Sequence, residues 1–95
     1  MSDMVTVQVE GALGPTRKTL PQAIVLAWQT LRALPLGEDQ LADLRRLFGS
    51  GAEERIRAEI RKTGKFEVCF LPLGGLEELQ TVQITPVGVL TALRR

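Results

Sequence analysis

An α+β fold, with a small sheet of three strands or four and helices on one face, is predicted by three stretches of this 95-residue sequence. Val5, Val7 and Val9 alternate with Thr6, Gln8 and Glu10, the period of a strand with one dry and one wet face. Leu20, Ile24, Ala27, Leu31 and Leu34 recur at helical spacing along one stripe. Phe66, Val68 and Phe70 alternate with Glu67 and Cys69, which again marks a half-buried strand. In chain order the elements read β-α-α-α-β-β-α, within a single compact domain spanning 1–95.

After the first strand, Gly11–Pro15 reads as a turn, and Thr16-Arg17-Lys18 as a short return strand that would be the fourth. The helix of residues 20–34 follows. Thr19 is placed to cap it, Gln22 sits where a capping box needs it, and Pro21 is tolerated in the first turn. Pro35 and Gly37 stop the helix. Its other side is unusual: Val25 and Leu26 lie off the stripe and Trp28 at its edge, so apolar residues wrap more than half the circumference. A helix of this kind is either sandwiched in a core or turned toward a partner. Val25, Leu26 and Trp28 are therefore the candidate protein interface.

Glu38 and Asp39 open a second helix, 38–48, where negative charge suits the N-terminal dipole. Leu41, Leu44 and Phe48 form its apolar stripe, with Leu47 at the margin. Gly49-Ser50-Gly51 breaks the chain. Ser50 and Glu53 are expected to form a capping box for a third helix, 51–63, whose Ala52, Ile56 and Ile60 face inward and which Gly64 ends. Strand 66–70, loop 72–79 and a return strand 81–85 make a hairpin. Thr85 and Pro86 are expected to open a short last helix. Two short echoes, Thr6–Val9 with Thr81–Ile84 and Leu34–Gly37 with Leu71–Gly74, fall on elements of different order and are read as coincidence rather than repeats.

Twelve basic and eleven acidic residues leave a net charge of +1, so no global field draws the chain to nucleic acid or an anionic membrane. One cysteine, Cys69, precludes an internal disulfide and a multi-thiolate metal site, which fits a reducing, cytoplasmic setting. No signal peptide and no membrane span is expected. With no histidine, the commonest general base and zinc ligand are missing. Ser50 lies in a Gly-Ser-Gly that follows a helix, not a strand, so a cap is preferred to a nucleophile. Read as a phosphate cradle, that turn lacks a following lysine and meets Glu53 and Glu54. The carboxylate pairs Glu38-Asp39, Glu53-Glu54 and Glu77-Glu78 lie at helix starts or in a loop and read as solvated surface. No catalytic residue, metal site, cofactor or small-molecule substrate is expected.

Basic residues cluster along and after the third helix. Arg57, Arg61, Lys62 and Lys65 form the candidate face for an anionic partner, with a solvated face as the plainer reading. The helix 38–48, a glycine turn, the helix 51–63, a hairpin and then Ile84-Thr85-Pro86-x-Gly88-x-x-x-Ala92-Leu93 resemble a winged helix-turn-helix domain over residues 20–95. The resemblance implies that 51–63 is a recognition helix and that loop 72–79 is a wing tip. The function expected first is nonetheless that of a small, regulatory, non-catalytic protein that binds another protein or a second copy of itself. A winged-helix nucleic-acid binder is the alternative.

Overall fold

The structure, a computed structural model, describes residues 4–73 and 78–87. The elements are β1 (Met4–Val9), β2 (Leu13–Thr19), α1 (Leu20–Arg32), α2 (Glu38–Phe48), α3 (Ala52–Thr63), β3 (Phe66–Phe70) and β4 (Gln80–Pro86). All strand pairs are antiparallel and the sheet runs β2-β1-β4-β3. The fold is α+β, and the described residues form a sheet of four strands.

The fourth strand is longer than the sequence suggests. Gly14 and Pro15, expected in a turn, belong to β2, whose register with β1 shifts between Val7 and Val9. Val7 pairs with Thr16 and Val9 with Leu13, so Gly14 and Pro15 together oppose Gln8. A bulge on an edge strand is a place where proline's missing N–H removes no ladder bond. A second correction concerns Thr85 and Pro86, which extend β4 opposite Thr6 and Val5 instead of opening a helix. The Val87 amide then donates to the Met4 carbonyl at 3.2 Å, and residues 88–95 of the expected helix lie outside the described residues.

The two strand echoes are neighbours. Gln8 pairs with Gln83 and Val9 with Val82 at the centre of the sheet. Each stretch alternates valine or isoleucine with threonine or glutamine, and pairing in register puts like beside like. Val5, Val7, Val9, Val82, Ile84, Phe66 and Phe70 thus line one face, buried under the helices. Thr6, Gln8, Gln83, Glu67 and Cys69 occupy the other.

α1 lies against β1 and β2, and α3 against β3. Leu20, Ile24, Ala27 and Leu31 are buried as their spacing predicts, joined by Ala23. Leu34 is only half-buried, because α1 ends at Arg32. The Thr19 hydroxyl accepts from the Gln22 amide and the Gln22 side chain accepts from the Thr19 amide, each at 3.4 Å. Leu44 and Phe48 of α2 and Ala52 and Ile56 of α3 complete the core. Phe48 meets Phe66 edge to face with ring centroids 6.0 Å apart.

Ser50 does not cap α3. Gly51 occupies the N-cap position with φ +78, a left-handed conformation glycine adopts without strain, and no side chain caps that end. The turn is closed by Arg55. Its guanidinium donates to the carbonyl oxygens of Ser50 at 2.9 Å, Arg46 at 2.7 Å and Leu47 at 3.0 Å. The last carbonyls of α2 would otherwise have no helical partner.

The second echo also meets itself in space. The Leu73 amide donates to the Pro35 carbonyl at 2.7 Å, and a Leu73 methyl lies where a side chain on Gly37 would be. Beside this contact the Gln40 amide group donates to the Leu71 carbonyl at 2.8 Å and accepts from the Leu71 amide at 2.7 Å. One side chain of α2 thereby continues the hydrogen bonding of β3 past its last residue.

Candidate functional site

The outer face of α1 is built by residues that its core stripe leaves over. With Leu20, Ile24, Ala27 and Leu31 turned to the sheet, 3.6-residue periodicity points Gln22, Val25 and Gln29 away from it. Val25 is 54% exposed in the middle of the helix. Together with Lys18, Pro21, Gln22, Leu26 and Gln29 it lines a shallow open depression of about 410 Å³. Leu26 is half-buried at its margin.

The structure brings Val25 and Leu26 together but places Trp28 elsewhere. Trp28 is half-buried on the side of α1 that faces α2, where it lines a separate groove of about 340 Å³ with Arg32, Leu41 and Arg45. The two surfaces share one helix. Pro21, Val25, Trp28 and Arg32 follow one another at steps of four, three and four residues, a single line along α1.

The basic residues are less gathered than their sequence spacing suggests. α3 ends at Thr63 with Gly64 in the left-handed C-cap conformation, so Lys65 does not continue the row of Arg57 and Arg61. Lys65 instead pairs with Glu67 at 3.2 Å. Arg57 is half-buried and pairs with Glu53 at 2.6 Å. Arg61 and Lys62 stand exposed without an ion pair among the described residues. Glu53 and Glu54 occupy the exposed first turn of the same helix. In the loop expected to be a wing tip, Leu73 and Leu79 are exposed, while residues 74–77 lie outside the described part.

Among the described residues, the open face of the sheet carries the one clearly perturbed carboxylate. Gln83 donates to Glu67 at 2.9 Å, and this bond, with the Lys65 ammonium alongside, holds the Glu67 carboxyl below the ordinary glutamate value. Cys69 is exposed on the same strand. Among the described residues, no three acidic or cysteine side chains lie close enough together to hold a metal ion, and no helix is long and apolar enough to cross a membrane.

The sequence reading missed Arg55 and Gln40, whose roles depend on backbone carbonyls brought to them by the fold. It also missed the pairing of Trp28 with α2, although Trp28-x-x-x-Arg32 and Leu41-x-x-x-Arg45 share one signal, an apolar residue followed by arginine a turn later. Comparison of the chain with protein-family models, with curated proteins and with solved structures finds no match.

Proposed function

We propose that this chain is a small, non-catalytic binding protein whose partner is another protein, or a second copy of itself, held by the outer face of α1. The supporting observation is Val25, a large apolar side chain 54% exposed in the middle of a well-capped helix. It is surrounded by Pro21, Leu26 and the stem of Lys18, a surface that gains by being covered. Burial of such a side chain in an interface is worth roughly 1.5–3 kcal/mol.

The test is Val25→Glu. Because Val25 is not part of the core, the variant keeps its circular dichroism spectrum and melting temperature. It is expected to lower the oligomeric mass measured by light scattering, or to abolish capture of the partner. If mass and capture are both unchanged, the reading fails.

A nucleic-acid-binding role through α3 is the second reading, supported by the exposed Arg61 and Lys62. A recognition helix presents its N-terminal turn to the base edges. In α3 that turn carries Glu53 and Glu54, which disfavours the approach of a duplex. Nanomolar, sequence-selective duplex binding that weakens steeply with salt and disappears in Arg61→Glu/Lys62→Glu would displace the first reading.

A further inference from the structure

The groove between α1 and α2 has a composition that its place in the fold does not require. Its floor is Trp28 and Leu41, both half-buried, and its rim is Arg32 and Arg45, both exposed. Each helix contributes the same pair, an apolar residue and then an arginine one turn later. The arginines stand in the last turns of α1 and α2, where a cation is favoured by the helix dipole. That accounts for a positive charge at each helix end. It does not account for two guanidiniums, brought together from different helices, beside the chain's one tryptophan. Neither side chain has a hydrogen-bond or ion-pair partner among the described residues, a state shared with Arg17 and Arg61 but not with Arg46, Arg55 and Arg57.

We infer that this groove is the docking site for an acidic segment of a partner protein, one in which a large apolar side chain is flanked by carboxylates. The inference rests on the reading of α1 as a protein-binding helix and names the chemistry of what it binds. The apolar side chain covers Trp28 and Leu41, and the carboxylates pair with Arg32 and Arg45. Guanidinium and carboxylate are matched in plane and in spacing for paired hydrogen bonds. Tryptophan and arginine are also the residue types that most often dominate a protein interface. The groove lies farther along the same helix as the Val25 depression, since Pro21, Val25, Trp28 and Arg32 follow one line roughly 16 Å long. A polynucleotide fits less well. Glu38 lies on the same side of α2 as Leu41 and Arg45, so negative charge is welcome only at the arginine end of the groove. A peptide can confine its carboxylates there, whereas a polynucleotide carries a phosphate at every step.

Trp28 is the only tryptophan in the chain, so its fluorescence reports the groove directly. The probes are synthetic, tryptophan-free peptides of equal length with a central Leu-Phe, flanked by aspartates, by asparagines or by lysines. The aspartate peptide is expected to shift Trp28 emission saturably, and the asparagine peptide to bind at least about tenfold more weakly. The lysine peptide is expected to leave the emission unchanged. Arg32→Gln/Arg45→Gln should weaken the aspartate peptide by at least about tenfold while the fold is retained. The melting temperature should be only a few degrees lower, because both residues are exposed and lose only their helix-end charge interaction. In the free protein, iodide should quench Trp28 more than caesium does, and the double variant should narrow that difference. No saturable shift with the aspartate peptide, or equal affinity for the double variant, overturns the inference. So does a single-stranded oligonucleotide that shifts Trp28 where the aspartate peptide does not. If the peptide fails while Val25→Glu still disperses an oligomer or loses a partner, the groove inference falls and the α1 reading stands.

Discussion

The Arg55 guanidinium donates to the Arg46 carbonyl at 2.7 Å, so a side chain at the start of α3 closes the end of α2. With its further bonds to Leu47 and Ser50, it holds the turn between two helices that lack side-chain caps at their N-termini. Arg55→Ala is expected to cost about 1 kcal/mol in urea unfolding, since a charged donor is removed from carbonyls that water can partly recover. Ser50→Ala is expected to stay within about 0.5 kcal/mol of the parent, because the Ser50 side chain caps nothing. The reverse ranking would mean that the serine, not the arginine, holds the turn.

Gln40 joins the α1–α2 corner to the end of β3, bonding the Leu36 carbonyl and both backbone groups of Leu71. Gln40→Ala is expected to lower stability by about 1–2 kcal/mol and to speed hydrogen exchange at the Leu71 amide. Gln40→Glu should not restore the parent. Its carboxylate can still accept from the Leu71 amide, but the oxygen replacing Nε2 faces the Leu36 and Leu71 carbonyls with no proton to donate at neutral pH.

Glu67 supplies one pH-dependent contribution to stability. Its carboxyl is lowered first by the Gln83 hydrogen bond and then by Lys65, so it binds its proton less readily folded than unfolded. The resulting stabilisation is fully present above the ordinary glutamate value and is lost as pH falls through the lower folded value. In a carboxyl-carbon NMR titration, Glu67 should titrate below the ordinary glutamate value, and Gln83→Leu should raise its midpoint. The difference in melting temperature between parent and Gln83→Leu should shrink as the pH falls through that window. An unmoved midpoint would show that the hydrogen bond does not govern the carboxyl.

The parts of the fold that could be read in the sequence are those governed by local period. Val5, Val7 and Val9 and the stripe from Leu20 to Leu31 announce their faces because burial selects every second or every third-to-fourth side chain. β2 was only partly legible, since Gly14 and Pro15 carry turn chemistry and are tolerated in a strand by the edge position and the bulge. Leu36 is 2% exposed with no periodic neighbour to mark it. At the candidate surface, the surplus apolar residues of α1 were visible, but the assignment of Val25 and Trp28 to different hollows was not. That division depends on where α2 lies, which no residue of α1 encodes.

β1 sits between β2 and β4, and its second partner follows it by more than seventy residues, as the Glu10–Thr81 contact shows. During synthesis, the β1–β2 hairpin and α1 can assemble while one edge of β1 still has free N–H and C=O groups. Translation at ~5–20 residues per second leaves that edge uncovered for seconds before β4 emerges. The closing pair has a wide sequence separation, which slows its formation relative to the helices. Thr6 and Gln8, polar on the face away from the core, keep the waiting ribbon wet on one side. Of the two edges of β1, the one that awaits β4 is thus open to wrong pairing for the longer interval.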